Sequence, residues 1–112
     1  MSEQHLSAQQ LIQVAKEFGT PVYVYHAEKI AAQYKKLTTA FSKSKVVFFY
    51  ACKALTNISV LKYLHSLGAS IDCSSINEAK LALHAGFLPQ NVLYPSNGIG
   101  FDEIEEAVTL GV

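Results

Sequence analysis

The chain has 112 residues, half of them apolar, and nine basic residues balance nine acidic ones. That is enough for one domain with a real core, too little for two, and unlike a disordered tail. With no basic block there is no electrostatic grip on nucleic acid or an anionic membrane, and no apolar run approaches the roughly 20 residues that span a bilayer.

The opening segment MSEQHLSAQQ is polar and lacks the basic and apolar regions of a signal peptide, so a cytoplasmic location is expected. Ser7 and Gln10 have capping-box spacing, Leu11, Val14, Ala15 and Phe18 share one helical face, and Gly19 ends the pattern. TPVYVY (20–25) has the Val and Tyr content of a strand, with Pro21 at its start, where a missing donor does least harm. Ile30, Tyr34, Leu37 and Phe41 then recur at helical spacing, with lysines on the other face.

From residue 46 a regular rhythm begins. VVFFYA (46–51) is continuously apolar, as suits a strand buried on both faces of a parallel sheet. Asn57 can cap a helix striped by Val60, Leu61, Leu64 and Leu67 and closed by Gly68. SIDCSS (70–75) is a short strand. Ser75 and Glu78 form a second capping box for a helix that runs to Gly86. NVLYP (91–95) is a third strand, and Asp102, Glu103, Glu105 and Glu106 place negative charge in the first turns of a last helix. Strand starts near 46, 70 and 92, without hairpin signals between them, predict consecutive βα units in an α/β fold, either doubly wound or a slice of a barrel. No GxGxxG or Walker sequence is present, which weakens the nucleotide-binding version, and SNGIG (96–100) reads as an ordinary glycine turn. Three such units cannot close a barrel, so the chain is expected to be the N-terminal part of a larger protein.

In α/β folds chemistry gathers at the carboxyl ends of strands. Lys53 follows the first strand, Ser70, Asp72 and Ser74 alternate with Ile71 and Cys73 on the second, and Ser96 and Asn97 follow the third. Residue types alone leave two readings of Lys53. It is a solvated lysine at a strand end, or an amine whose apolar surroundings favour the neutral, nucleophilic form. Asp72 reads as a loop cap or as a carboxylate sharing a mouth with Lys53; Glu78 reads as the second half of its capping box; Ser74, Ser96 and Asn97 read as turn residues. Alternation sends Cys52 and Cys73 to the helix side as buried thiols. With His5, His26, His65 and His84 scattered, no metal site is expected.

FGTPVYVY, FFYACKALTN, LGASIDCSS followed by Glu78, and AGFLPQNVLYPSN, in that order, resemble the start of the fold-type III decarboxylases that use pyridoxal phosphate. Within that superfamily the likeness is greatest to diaminopimelate decarboxylases, and ornithine and arginine decarboxylases share the frame. Tyr-Ala-x-Lys-Ala after an apolar strand, with Gly-x-x-x-Asp one βα unit later, is its most specific element. The resemblance implies the first units of an alanine-racemase-like (β/α)8 TIM barrel, with residues 26–112 as its incomplete N-terminal portion. Residues 1–25 would be a helix and strand given to a separate β-domain. It implies that Lys53 forms the internal aldimine with pyridoxal 5'-phosphate and is the catalytic residue, that Asp72 binds the cofactor beside it, and that Glu78 and Asn97 lie near cofactor or substrate.

The implied activity is decarboxylation of meso-2,6-diaminopimelate to L-lysine and carbon dioxide, the last step of lysine biosynthesis, by a homodimer. An ornithine-, arginine- or carboxynorspermidine-type decarboxylase is the alternative, as is a non-catalytic barrel homologue with a regulatory role. The family's phosphate site, its partner for the pyridine nitrogen and most substrate contacts fall outside these residues, so the 112-residue chain alone is expected to lack turnover. Two departures stand out: Ser74, Ser75, Ile76 and Asn77 replace the usual Val-Ser-Gly-Gly before Glu78, and Ala-Leu-Thr follows Lys53 where Ala-Asn-x is more usual.

Overall fold

The structure is a computed structural model that describes residues 5–95 and 97–112. The chain folds into two compact units, Met1–Ala40 and Phe41–Val112.

The first unit holds helices α1 (Ala8–Phe18) and α2 (Ala27–Ala40). The capping box forms as the sequence predicts: the Ser7 N–H donates to Gln10 Oε1 at 2.8 Å, and the Gln10 N–H to Ser7 Oγ at 3.2 Å. Neither helix has a fully buried residue, and Leu11, Ile12, Phe18 and Leu37 are exposed. TPVYVY departs from expectation. Residues 22–26 form no ladder, and Tyr23 is 89% exposed. Val and Tyr suit a pleated surface, but a strand exists only against a neighbour, and none is present among the described residues.

The second unit is a three-stranded parallel sheet in the order β1-β2-β3, made by Phe49–Ala51, Ser70–Asp72 and Val92–Leu93. Between and after the strands run α3 (Ile58–Ser66), α4 (Ile76–Ala85) and α5 (Phe101–Leu110). The register sets Phe49 against Ser70, Tyr50 against Ile71, and Ala51 against Asp72, with Ile71 and Asp72 against Val92 and Leu93. β1 is shorter than VVFFYA suggests. Pairing starts at Phe48, whose carbonyl accepts from the Ser70 N–H at 3.1 Å, and Val46 and Val47 lie exposed before it. Ahead of β1, Phe41 meets the edge of Phe48 at 5.6 Å between ring centres.

Each helix begins where a side chain can satisfy its first amides. Asn57 Oδ1 accepts from the Ser59 and Val60 N–H groups, Ser75 Oγ accepts from the Glu78 N–H, and Glu103 Oε2 accepts from the Gly100 N–H. Gly86 ends α4 at φ 107°, a left-handed conformation that side chains rarely adopt. The His65 ring packs over it and meets Phe87 edge-on, with 5.1 Å between ring centres.

One face of the sheet lies under the helices. Cys52, Ile71, Cys73 and Val92 pack there with Leu61, Phe87 and the alanine stripe Ala79, Ala82 and Ala85. Alanine at these three α4 positions lets the helix sit close to the strands. Full burial of Leu61 and Ile71, both at 0% exposure, contributes about 1.5–3 kcal/mol each. The Lys80–Glu106 pair linking α4 to α5 is nearly half exposed and adds little. The other face carries Phe49, Ala51, Ser70, Asp72 and Leu93 by alternation, and its Phe49 and Leu93 are exposed. Among the described residues no helix is long and apolar enough to cross a membrane.

Candidate active site

The carboxyl ends of the three strands bring the candidate residues to one edge of the sheet. After Ala51 the chain turns through a short 3-10 segment, Cys52–Ala54, which places Lys53 two residues beyond the level at which Ala51 pairs with Asp72. Lys53 is exposed, and its ammonium has no hydrogen bond or ion pair among the described residues. It is therefore an exposed lysine rooted in an ordered turn. Asp72 occupies the next strand on the uncovered sheet face. Its Oδ1 is buried and has no hydrogen-bond partner among the described residues. A buried carboxylate oxygen without a donor is costly, on the order of 1–3 kcal/mol or more for a charged group, and native structures rarely leave one so.

Glu78 departs from simple capping. Its amide donates to Ser75 Oγ as expected, but its Oε2 accepts from the Ser74 N–H at 2.7 Å, one residue before the cap. In an ideal box it would return to the Ser75 N–H. The difference carries the carboxylate over the 73–74 loop, where its charge reaches both Cys52 and Cys73. Asn97 is exposed after β3, its N–H donating to the Pro95 carbonyl at 3.0 Å, as a turn residue would. Ser96 lies outside the described residues.

Cys52 and Cys73 are fully buried on the helix side, as alternation predicts. The sequence reading missed that the two thiols lie together in one core cluster. The strand register accounts for it, since each cysteine follows one member of the Ala51–Asp72 pair. Burial first, then the charges of Cys52, Glu78 and Asp72, push the Cys73 thiol up to about 12, and burial and Glu78 raise Cys52. The thiol form is thus favoured by folding. Its stabilisation is complete below the unfolded value near 8.5 and declines as pH rises towards about 12, at up to about 1.4 kcal/mol per pH unit. Urea unfolding at pH 8 and pH 10 is expected to show that loss, and Cys73→Ala to flatten it; an equally steep decline in the variant would assign it elsewhere.

The residues present fit an aldehyde cofactor that forms hydrogen bonds. Lys53 offers an unpaired amine, and Asp72 Oδ1 is an acceptor waiting for a donor on the adjacent strand. Residues 27–112 match the family described as pyridoxal-dependent decarboxylase, pyridoxal binding domain. The diaminopimelate decarboxylase of Methanothermobacter thermautotrophicus is 42% identical over 103 residues, covering 90% of this chain and 24% of that protein. The crystal structure of diaminopimelate decarboxylase from Helicobacter pylori complexed with L-lysine superposes with a TM-score of 0.82 at 35% identity, over 95% of this chain and 26% of that one. The lysine/ornithine decarboxylase of Vibrio vulnificus complexed with putrescine gives a TM-score of 0.85 at 27% identity, over 96% and 30%. The chain thus spans about a quarter of the length of the curated relatives it matches. These likenesses also decide between the two α/β readings in favour of the barrel, which strand order alone leaves open, and the chain belongs to the pyridoxal-dependent decarboxylase family, as part of its pyridoxal binding domain.

Proposed function

We propose that the protein carrying this chain is a pyridoxal phosphate-dependent carboxy-lyase that converts meso-2,6-diaminopimelate to L-lysine and carbon dioxide, the last step of lysine biosynthesis. The observation that carries the reading is that Lys53 and a buried carboxylate oxygen of Asp72, neither with a partner among the described residues, lie at the carboxyl ends of neighbouring strands. The 42% identity to a diaminopimelate decarboxylase supports that choice of substrate.

Pyridoxal phosphate, when bound, supplies an aldehyde that condenses with amines and a ring that takes up the electron pair left as carbon dioxide departs. Lys53 would hold that aldehyde through Nζ and be displaced by the substrate amine. Asp72 would accept a hydrogen bond from a protonated nitrogen beside Lys53, favouring the charged form of that nitrogen. Glu78, tethered to the Ser74 amide, keeps Oε1 for a second acceptor contact at the same edge. Asn97 would line the β3 side. Residues 1–25 would belong to a β-domain completed elsewhere, and 26–112 to the barrel; the unpaired 22–26 segment, the exposed apolar side chains of α1 and the start of the family match at residue 27 support that division. The assembly would be a cytoplasmic homodimer.

An ornithine-, arginine- or carboxynorspermidine-type decarboxylase, or a non-catalytic barrel homologue, is the alternative, and the likeness to the Vibrio vulnificus lysine/ornithine decarboxylase supports ornithine among these. The test is borohydride reduction of the full-length protein with pyridoxal phosphate, followed by peptide mapping, beside carbon dioxide release from diaminopimelate, ornithine, arginine and lysine. A pyridoxyl group on Lys53 and preference for diaminopimelate are expected. A label on another residue would end the assignment of Lys53, and preference for ornithine would move the substrate.

A further inference from the structure

The turn that carries Lys53 is fastened at both ends, and one fastener is a side chain with no place in the chemistry so far. Tyr50 is the residue before Ala51 on β1 and packs against the helix-side core. Its hydroxyl donates to the Leu55 carbonyl at 3.2 Å, reaching past the whole Cys52–Ala54 turn. The Leu55 N–H donates in turn to the Cys52 carbonyl at 3.1 Å. Leu55 is therefore held through both its amide and its carbonyl. Cys52, at the other end, is fixed by complete burial in the core cluster.

A 3-10 turn has poorer hydrogen-bond geometry than an α-helix. A lysine side chain is long and mobile, so the position of its amine depends on how firmly its Cα is rooted. Small misplacements of a reacting group cost rate steeply. We infer that Tyr50 is a positioning residue for Lys53: its hydroxyl, bonded to the Leu55 carbonyl, locks the Cys52–Ala54 turn so that the amine of Lys53 is presented from a fixed root. This rests on the reading of Lys53 as the amine that holds the cofactor.

The test is Tyr50→Phe in the full-length protein, which keeps the ring in the core and removes only the clamp. Without cofactor, the amides of residues 53–55 are expected to exchange with solvent about fivefold faster, as the loss of one net hydrogen bond dictates, while exchange elsewhere is unchanged. With cofactor, kcat is expected to fall about tenfold with KM within about twofold, because rooting affects reaction geometry more than binding. Tyr50→Leu, which also loses ring packing, should melt lower than Tyr50→Phe without a further loss in kcat. Unchanged exchange in the turn, faster exchange throughout the unit, failure of Tyr50→Phe to fold, or kcat equal to wild type would each overturn the inference. Borohydride mapping separates the two ideas: a label off Lys53 removes the functional reading and this one together, whereas a label on Lys53 with a silent Tyr50→Phe removes this one alone.

Discussion

Lys53→Ala in the full-length protein is expected to reduce turnover by at least about a thousandfold, because no other group at this edge can replace a covalent amine. Folding should barely change. The side chain is exposed and unpartnered, and the turn around it is closed by the Leu55 N–H to the Cys52 carbonyl and by Tyr50, none of which uses the lysine. Exposed substitutions of this kind shift stability by only about 0.5 kcal/mol. Lys53→Arg sharpens the test. Arginine keeps the positive charge but stays protonated, so it cannot condense with an aldehyde. Activity lost in both variants, with unfolding midpoints unchanged, identifies a nucleophile. Activity kept by arginine would mean that only charge is needed, and the solvated reading of Lys53 would stand.

The features that depend on local chemistry were legible in the residues, and those that depend on a neighbour were not. Ser7 with Gln10, Asn57 and Gly86 behave as their types dictate, because a cap needs only the few amides or carbonyls beside it. Alternation along SIDCSS assigned Asp72 and Cys73 to opposite faces, and the structure agrees. TPVYVY has strand composition, yet a ladder requires a second strand, and the described chain provides none. The return of Glu78 to the Ser74 amide was hidden because a capping box is degenerate by one residue in sequence but not in space. The Tyr50 clamp was hidden for a related reason. A hydroxyl meets a carbonyl five residues on only if the chain between them turns, and VVFFYACKAL gives no cue to a 3-10 turn. Lys53 and Asp72 could be named from order and spacing, whereas the orphaned Asp72 oxygen could not.

That oxygen makes the second large prediction. If Asp72 existed for stability, removing it should cost stability. Its Oδ1 is instead buried without a donor among the described residues, so Asp72→Ala in the cofactor-free full-length protein is expected to be neutral or stabilising, by about 1–3 kcal/mol. Binding should move the other way. Pyridoxal phosphate raises the stability of the protein by mass action, and that increment is expected to shrink in Asp72→Ala as affinity falls at least about tenfold. Asp72→Asn, similar in shape but uncharged, should lose most of the cofactor-linked increment as well, since the proposed contact depends on a negative charge facing a protonated nitrogen. Urea titrations of the three proteins, each with and without the cofactor, give all the needed differences. A variant less stable without cofactor and unaltered in its response to cofactor would make Asp72 a structural carboxylate. The opposite pattern, in which the empty protein gains and the loaded one loses, is the mark of a group kept unsatisfied for its ligand, at an energetic cost that selection for folding alone would have removed.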